Sequence, residues 1–167
     1  MFRNVIAALS LVFFVTPASG AANPQKIGTF KDWTVWKYTQ TSRKRCFIYS
    51  NPTRSEPRRL DHGLVSFFVR STVRKDVASE ASLQVGYPLA PGSEAVLDVD
   101  GGKFRLATSG KGAWLVKPER ERELLDALRK GSTLTVSARS ARGNRTTYAF
   151  SLAGVTDAMG RLRQACP

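Results

Sequence analysis

The sequence predicts an all-β fold, a mainly antiparallel β-sandwich or small barrel, with one helix near residues 118–130 and a short C-terminal helix. Three observations predict it. Short segments of alternating apolar and polar residues recur along the chain. Turn-forming residues separate them at regular intervals. Helix signals are confined to two late stretches.

The elements follow in order. Residues 30–38, FKDWTVWKY, alternate, with Trp33, Val35 and Lys37 on one face and Thr34, Trp36 and Tyr38 on the other. QTSRKR makes a polar turn before the short strand 46–50, CFIYS. Residues 51–61, NPTRSEPRRLD, carry two prolines and three arginines, which excludes a central strand and leaves a loop or irregular edge. Residues 64–72, LVSFFVRST, are nearly continuously apolar and predict a strand buried on both faces. Residues 81–87, ASLQVGY, turn Leu83, Val85 and Tyr87 inward, and PLAPGS is a turn. EAVLDV and KFRLAT flank DGG, so Asp100-Gly101 marks a hairpin. AWLV follows another turn.

PERERELLDALRKGS predicts a helix. Pro118 suits its first position, Glu119, Glu121 and Glu123 lie where the macrodipole favours anions, Arg129 and Lys130 lie late, and Gly131 stops it. Leu124, Leu125 and Leu128 form its apolar stripe. A last hairpin sets Leu134, Val136 and Ala138 against Thr146, Tyr148, Phe150 and Leu152. The closing DAMGRLRQACP reads as a helix with Thr156 as N-cap and Met159, Leu162 and Cys166 on one face. The total is eight or nine strands.

The 167 residues suit a leader at 1–22 and one β domain over 23–167. Arg3, an apolar run over 5–15 and the small residues Ala18, Ser19, Gly20, Ala21 and Ala22 form a secretory signal pattern, with cleavage expected after Gly20 or Ala22. The run is too short to span a membrane, which takes about 20 apolar residues. The sequence therefore places the protein outside the cytoplasm: periplasmic, outer-membrane-associated or secreted, with no transmembrane segment in the mature chain. Two cysteines in an exported chain are expected to pair, Cys46 with Cys166. The alternative is two free thiols.

Lys and Arg number 26 against 13 acids, a net charge of +13. Such a surface attracts polyanions. The cations cluster at Arg43, Lys44 and Arg45; at Arg54, Arg58 and Arg59; at Arg70, Arg74 and Lys75; at Arg139, Arg142 and Arg145; and at Arg161 and Arg163. A Cys46–Cys166 bridge would bring the first and last groups to one end of the fold. Arg43, Lys44, Arg45, Arg161 and Arg163 are thus the candidate surface for an anionic ligand. Export argues against nucleic acid and for anionic lipid, lipopolysaccharide or host glycan.

Signals for catalysis are sparse. His62 is the sole histidine and reads as a loop residue bounding a strand. One histidine and two cysteines separated by most of the chain do not supply the three or four ligands of a metal site, and pairing the cysteines leaves no ligand set. No G-x-S-x-G elbow, P-loop or dinucleotide fingerprint occurs, so no cofactor is expected. Asp98 and Asp100, beside a DGG turn, read as hairpin residues.

Several stretches together resemble the invasion-associated locus B family of exported α-proteobacterial proteins. They are FKDWTVW, CFIYSNPTRSEP, VSFFV, ASLQVGYPLAPGSEAVLDVDGGKFRL, GAWLV, LLDALRKGSTLTVSARSARGNRTTYAFSL and GVTDAMGRLRQAC. They cover nearly the whole of 23–167 in order. The residues that carry the resemblance are Trp33, Cys46, the Ser55-Glu56-Pro57 loop, Gly86-Tyr87-Pro88, Trp114 and Cys166. It implies a β-rich envelope or secreted protein with no established catalytic site, and a role associated with host-cell invasion. The chain is more arginine-rich than the resemblance leads one to expect.

These readings converge on a non-enzymatic, exported binding module. Two alternatives stay open. A periplasmic hydrolase or isomerase would show His62 in a deep polar pocket with a carboxylate. A structural or chaperone-like partner of another envelope protein would show an exposed apolar patch or an unpaired edge strand.

Overall fold

The computed structural model describes residues 23–40, 43–72 and 79–167. The expected leader at 1–22, and Arg74 and Lys75, lie outside the described residues.

The first segment is two strands rather than one. β1 (Gln25–Phe30) and β2 (Trp33–Gln40) pair antiparallel around Lys31 and Asp32, and Lys31 takes a φ of 49°. A Lys-Asp pair is a weak turn signal, so the alternation through FKDWTVWKY hides the hairpin. β3 (Arg43–Ser50) pairs with β2 from Arg43 to Tyr49. The arginine-rich loop then contributes β4 (Arg54–Glu56), an irregular edge as its prolines demand.

β5 (Ser66–Ser71) follows, then β6 (Ser79–Gln84), β7 (Glu94–Val99), β8 (Gly102–Ser109) and β9 (Gly112–Leu115). Asp100 and Gly101 join β7 to β8 with φ values of 46° and 98°, the left-handed pair that a two-residue hairpin turn requires. A 3-10 turn (Pro118–Arg120) leads into α1 (Glu121–Lys130), which ends at Gly131. β10 (Thr133–Arg139) and β11 (Arg145–Ser151) form the last hairpin, and α2 (Val155–Ala165) closes the chain.

Among the described residues the strands form one eleven-stranded antiparallel sheet, ordered β1-β2-β3-β5-β6-β9-β8-β7-β10-β11-β4. The all-β class and the two helices are as expected. The choice between sandwich and barrel has a third answer: one continuous sheet that folds over on itself without closing. β1 and β4 remain its edges. Phe67 of β5 meets Phe150 of β11 with ring centroids 5.9 Å apart. Trp33 of β2 donates its indole N–H to the Ser151 carbonyl of β11 at 3.0 Å and meets Phe67 edge-on at 6.5 Å. Sequence alternation cannot distinguish these layouts, because each buries one face of every strand.

The strand read as buried on both faces is buried on one. Phe67 and Val69 face the core, whereas Phe68 is half-buried on the outward face and Leu64 is 91% exposed. α2 packs Val155, Ala158, Met159 and Leu162 against the inner face of β1, β2 and β3. Its N-cap is not Thr156 but Gly154, whose φ is 89°. Any Cβ there would stand 2.1 Å from the Phe30 carbonyl oxygen, so only glycine lets the chain pass. Thr156 donates its hydroxyl to the Arg129 carbonyl and so ties α2 to the last turn of α1. No helix among the described residues is long and apolar enough to cross a membrane.

α1 buries Leu124, Leu125 and Leu128 and, less expectedly, Glu121. Glu121 Oε1 accepts the Ala81 backbone N–H at 2.6 Å. Burial, against the pull of that hydrogen bond, pushes its carboxyl up from 4.5 to about 7. Between these values the unfolded chain releases the proton and the folded protein keeps it. Stability from protonated Glu121 is therefore full below about pH 4.5 and lost as pH rises toward about 7. Glu121→Gln should remove this part of the slope; urea midpoints between about pH 5 and 8 are the check.

Candidate functional site

The bridge forms. Cys46, buried on the inner face of β3, is joined to Cys166 just past α2, with Cα atoms 5.9 Å apart across 120 residues of sequence. It draws the two basic tripeptides to one end of the fold. Alternation along β3 then divides the cations. Lys44 shares the inner face of Cys46 and Ile48, the side on which α2 lies. Arg43 and Arg45 share the outward face with Phe47 and Tyr49. Arg161 and Arg163 are exposed, on opposite flanks of the stripe that α2 buries. Lys44, Arg161 and Arg163 therefore lie on one side of the sheet, and Arg43 and Arg45 on the other. Lys37, in register with Cys46, adds a cation that the sequence reading did not include in the site.

None of the five predicted cations makes an ion pair among the described residues. The acids that pair there do so elsewhere: Glu56 with Arg54 and Arg58, Glu80 with Arg70, Glu94 with Arg105, Glu123 with Arg120, and Asp126 with Arg129. Among the described residues, the bridged end thus gathers cations that have no ion-pair partner.

His62 borders a cavity of about 500 Å³, with Asp61, Tyr87, Arg142 and Asn144 also in its wall. Its Nε2 lies 3.1 Å from the Pro57 carbonyl oxygen and its Nδ1 2.9 Å from the Tyr148 hydroxyl. A carbonyl only accepts, so Nε2 carries the proton, and in the neutral ring Nδ1 accepts from Tyr148. Tyr148 lies 2.6 Å from the Tyr87 hydroxyl, which lies 2.7 Å from Thr146 Oγ1. Burial first, and the Tyr87 hydrogen bond second, push the Tyr148 phenol above the usual tyrosine range and hold it protonated. The imidazole is spoken for on both nitrogens. Among the described residues no carboxylate bonds it: neighbouring Asp61 accepts the Gly63 N–H instead. The arrangement joins the β4 loop to β11; Asp61 shares the cavity wall with His62, as the hydrolase or isomerase alternative calls for, but is not hydrogen-bonded to the imidazole.

Asp98 and Asp100 serve the hairpin as expected. Asp98 accepts the Gly101 N–H, and Asp100 accepts the Ser132 and Thr133 N–H groups where α1 enters β10. No group of three or more metal-ligating side chains occurs among the described residues.

The outward face of the sheet differs between its two halves. On β10 and β11 it carries Thr135, Ser137, Arg145, Thr147 and Ser151. On β2, β3 and β5 it carries Trp36, Tyr38, Phe47, Tyr49 and Phe68, all half-buried. Phe47 lies at the centre, with Trp36 stacked at 6.5 Å, Tyr38 at 6.0 Å and Phe68 at 5.9 Å. The sequence carried the signal in Trp36 and Tyr38, which alternate away from buried Trp33 and Val35. Reading residues 64–72 as wholly buried concealed the rest.

Against this geometry, the family model for invasion associated locus B (IalB) protein matches residues 33–163. The chain belongs to the IalB family. That family is associated with the bacterial envelope. The crystal structure of invasion associated protein b from Bartonella henselae has a similar fold: TM-score 0.62 and 19% identity, over 84% of this chain and 95% of that one. No curated protein matches the chain.

The residues that carried the IalB resemblance prove to be framework. Trp33 spans the fold-over, and Cys46 and Cys166 clasp its end. Pro57 receives His62, and Tyr87 holds Tyr148. A Cβ on Gly86 would stand 2.6 Å from Gly63 Cα, so only glycine permits that backbone approach. Trp114 lies opposite Ser82 on the outward face, against Gly112.

Proposed function

We propose that this IalB protein is an exported, non-enzymatic binding module of the cell envelope. Its leader is removed on export, and it works in the periplasm, at the outer membrane or outside the cell. It engages an anionic phospholipid, lipopolysaccharide or host glycan through Arg43, Lys44, Arg45, Arg161 and Arg163. The carrying observation is that these cations gather at the bridged end without an acid partner among the described residues. Unpaired cations cost least where an anion neutralises them. The +13 charge adds long-range attraction. The engagement of both His62 nitrogens supports binding rather than catalysis. The proposal includes no metal or cofactor, and no nucleic acid.

Each cation close to an anionic membrane contributes on the order of 1 kcal/mol. Reversing all five to Glu should therefore weaken binding to anionic vesicles at least about a hundredfold. Neutral vesicles should not bind the wild-type protein. Unchanged binding by the reversed variant would remove the basic end from the function.

A further inference from the structure

We infer that the outward groove over β2, β3, β5 and β6 is a binding site for a short acidic oligosaccharide. A groove of about 700 Å³ runs there, lined by Tyr38, Gln40, Phe47, Phe68, Ser82 and Gln84. Alternation turns all six to the same side. Its size is that of a small-molecule site, in which a few polar groups among apolar walls fix orientation.

The mixture of walls selects the ligand. Rings of Tyr38, Phe47 and Phe68 offer flat apolar faces to the C–H face of a sugar ring. The amides of Gln40 and Gln84 and the Ser82 hydroxyl can both donate to and accept from sugar hydroxyls. An acyl chain would leave these polar groups unpaired, at a cost. The charge follows from the rim. Arg70 in the wall is paired with Glu80, at 3.3 Å. Arg45, in register with Tyr38, and Arg43, in register with Gln40, are on the same face and have no acid partner among the described residues. Two free cations at one end of a ring-and-amide groove complement a saccharide bearing carboxylate, sulfate or phosphate.

This inference shares Arg43 and Arg45 with the proposed function, but its ring and amide walls are separate from Lys44, Arg161 and Arg163. The test titrates the bridged protein, purified from an export-competent host, with a uronate tetrasaccharide, a sulfated tetrasaccharide and a neutral one. Calorimetry gives affinity, and tryptophan fluorescence reports on Trp36 beside Phe47. The acidic tetrasaccharides, or one of them, should bind saturably and more tightly than the neutral one. Tyr38→Ala and Gln84→Ala should each weaken that binding about tenfold with unchanged melting. Arg122→Glu, at an exposed position of α1 away from the groove, should leave it intact.

Failure of both acidic sugars to bind overturns the site, as does binding indifferent to Tyr38 and Gln84. Equal affinity for the neutral sugar overturns its acidic character. Salt-sensitive binding to anionic vesicles without acidic-sugar binding sinks this inference and leaves the proposed function standing. Sugar binding through Tyr38 and Gln84 without vesicle binding upholds the site and leaves the membrane ligand excluded.

Discussion

Opening the Cys46–Cys166 bridge is expected to cost about 5 kcal/mol, since closing a loop of this length removes that much entropy from the unfolded chain. The bridge spans 120 residues and holds the end of α2 to β3. α2 buries Val155, Ala158, Met159 and Leu162 but has no side-chain cap at its N-terminus. Without the bridge its last turn should fray first. Paired substitution to alanine or serine should lower the melting temperature by roughly 10–20 °C. Amide exchange should accelerate earliest at the C-terminal end of α2. Thiol titration of the unreduced protein should find no free cysteine. A stable, fully protected α2 in the double variant would show that packing alone holds it.

Trp33→Ala is expected to cost about 4–6 kcal/mol, the largest effect of any single substitution proposed for this chain. Truncating a buried tryptophan costs about 3–5 kcal/mol through lost burial and the cavity left behind. Trp33 is fully buried. It also satisfies the Ser151 carbonyl across the fold-over, and an orphaned buried acceptor adds roughly 1 kcal/mol or more. Trp33→Phe should recover most of the packing and none of the hydrogen bond, separating the two contributions. Denaturant unfolding of both variants checks this. Equal losses would mean that the indole hydrogen bond, not packing, holds β2 against β11.

The sequence exposed those features whose physical cause is local. Asp100-Gly101 needs only its own backbone conformation and stands as read; α1 stops at Gly131 as read, but starts at Glu121, with Pro118 opening the 3-10 turn before it. Cys46 and Cys166 had no competitor for pairing. Features that depend on distant partners were hidden. β1 was merged with β2 because Lys31-Asp32 is an unremarkable turn pair. The choice of Gly154 over Thr156 as N-cap depends on how closely Phe30 passes. Glu121 looked like a dipole partner, yet it is buried because the Ala81 N–H lies above it.

The same division applies to the candidate site. Convergence of Arg43, Lys44 and Arg45 with Arg161 and Arg163 could be reasoned from a bridge. Their division between two sides of β3 needed the strand's facing. The outward aromatic cluster was half visible in Trp36 and Tyr38, but Phe47 and Phe68 join it only through register. The resemblance pointed to framework residues such as Trp33, Gly86 and Tyr87, which explain the fold and not the ligand.

The most direct test of the basic end is binding of the wild-type protein to anionic vesicles as salt is raised from about 50 to about 300 mM. Ion screening over this range shortens the reach of exposed charges to well under about 10 Å. Affinity should fall steeply, and the five-site reversed variant should show little binding at any salt. Affinity unchanged by salt, or equal for neutral vesicles, would contradict the proposal.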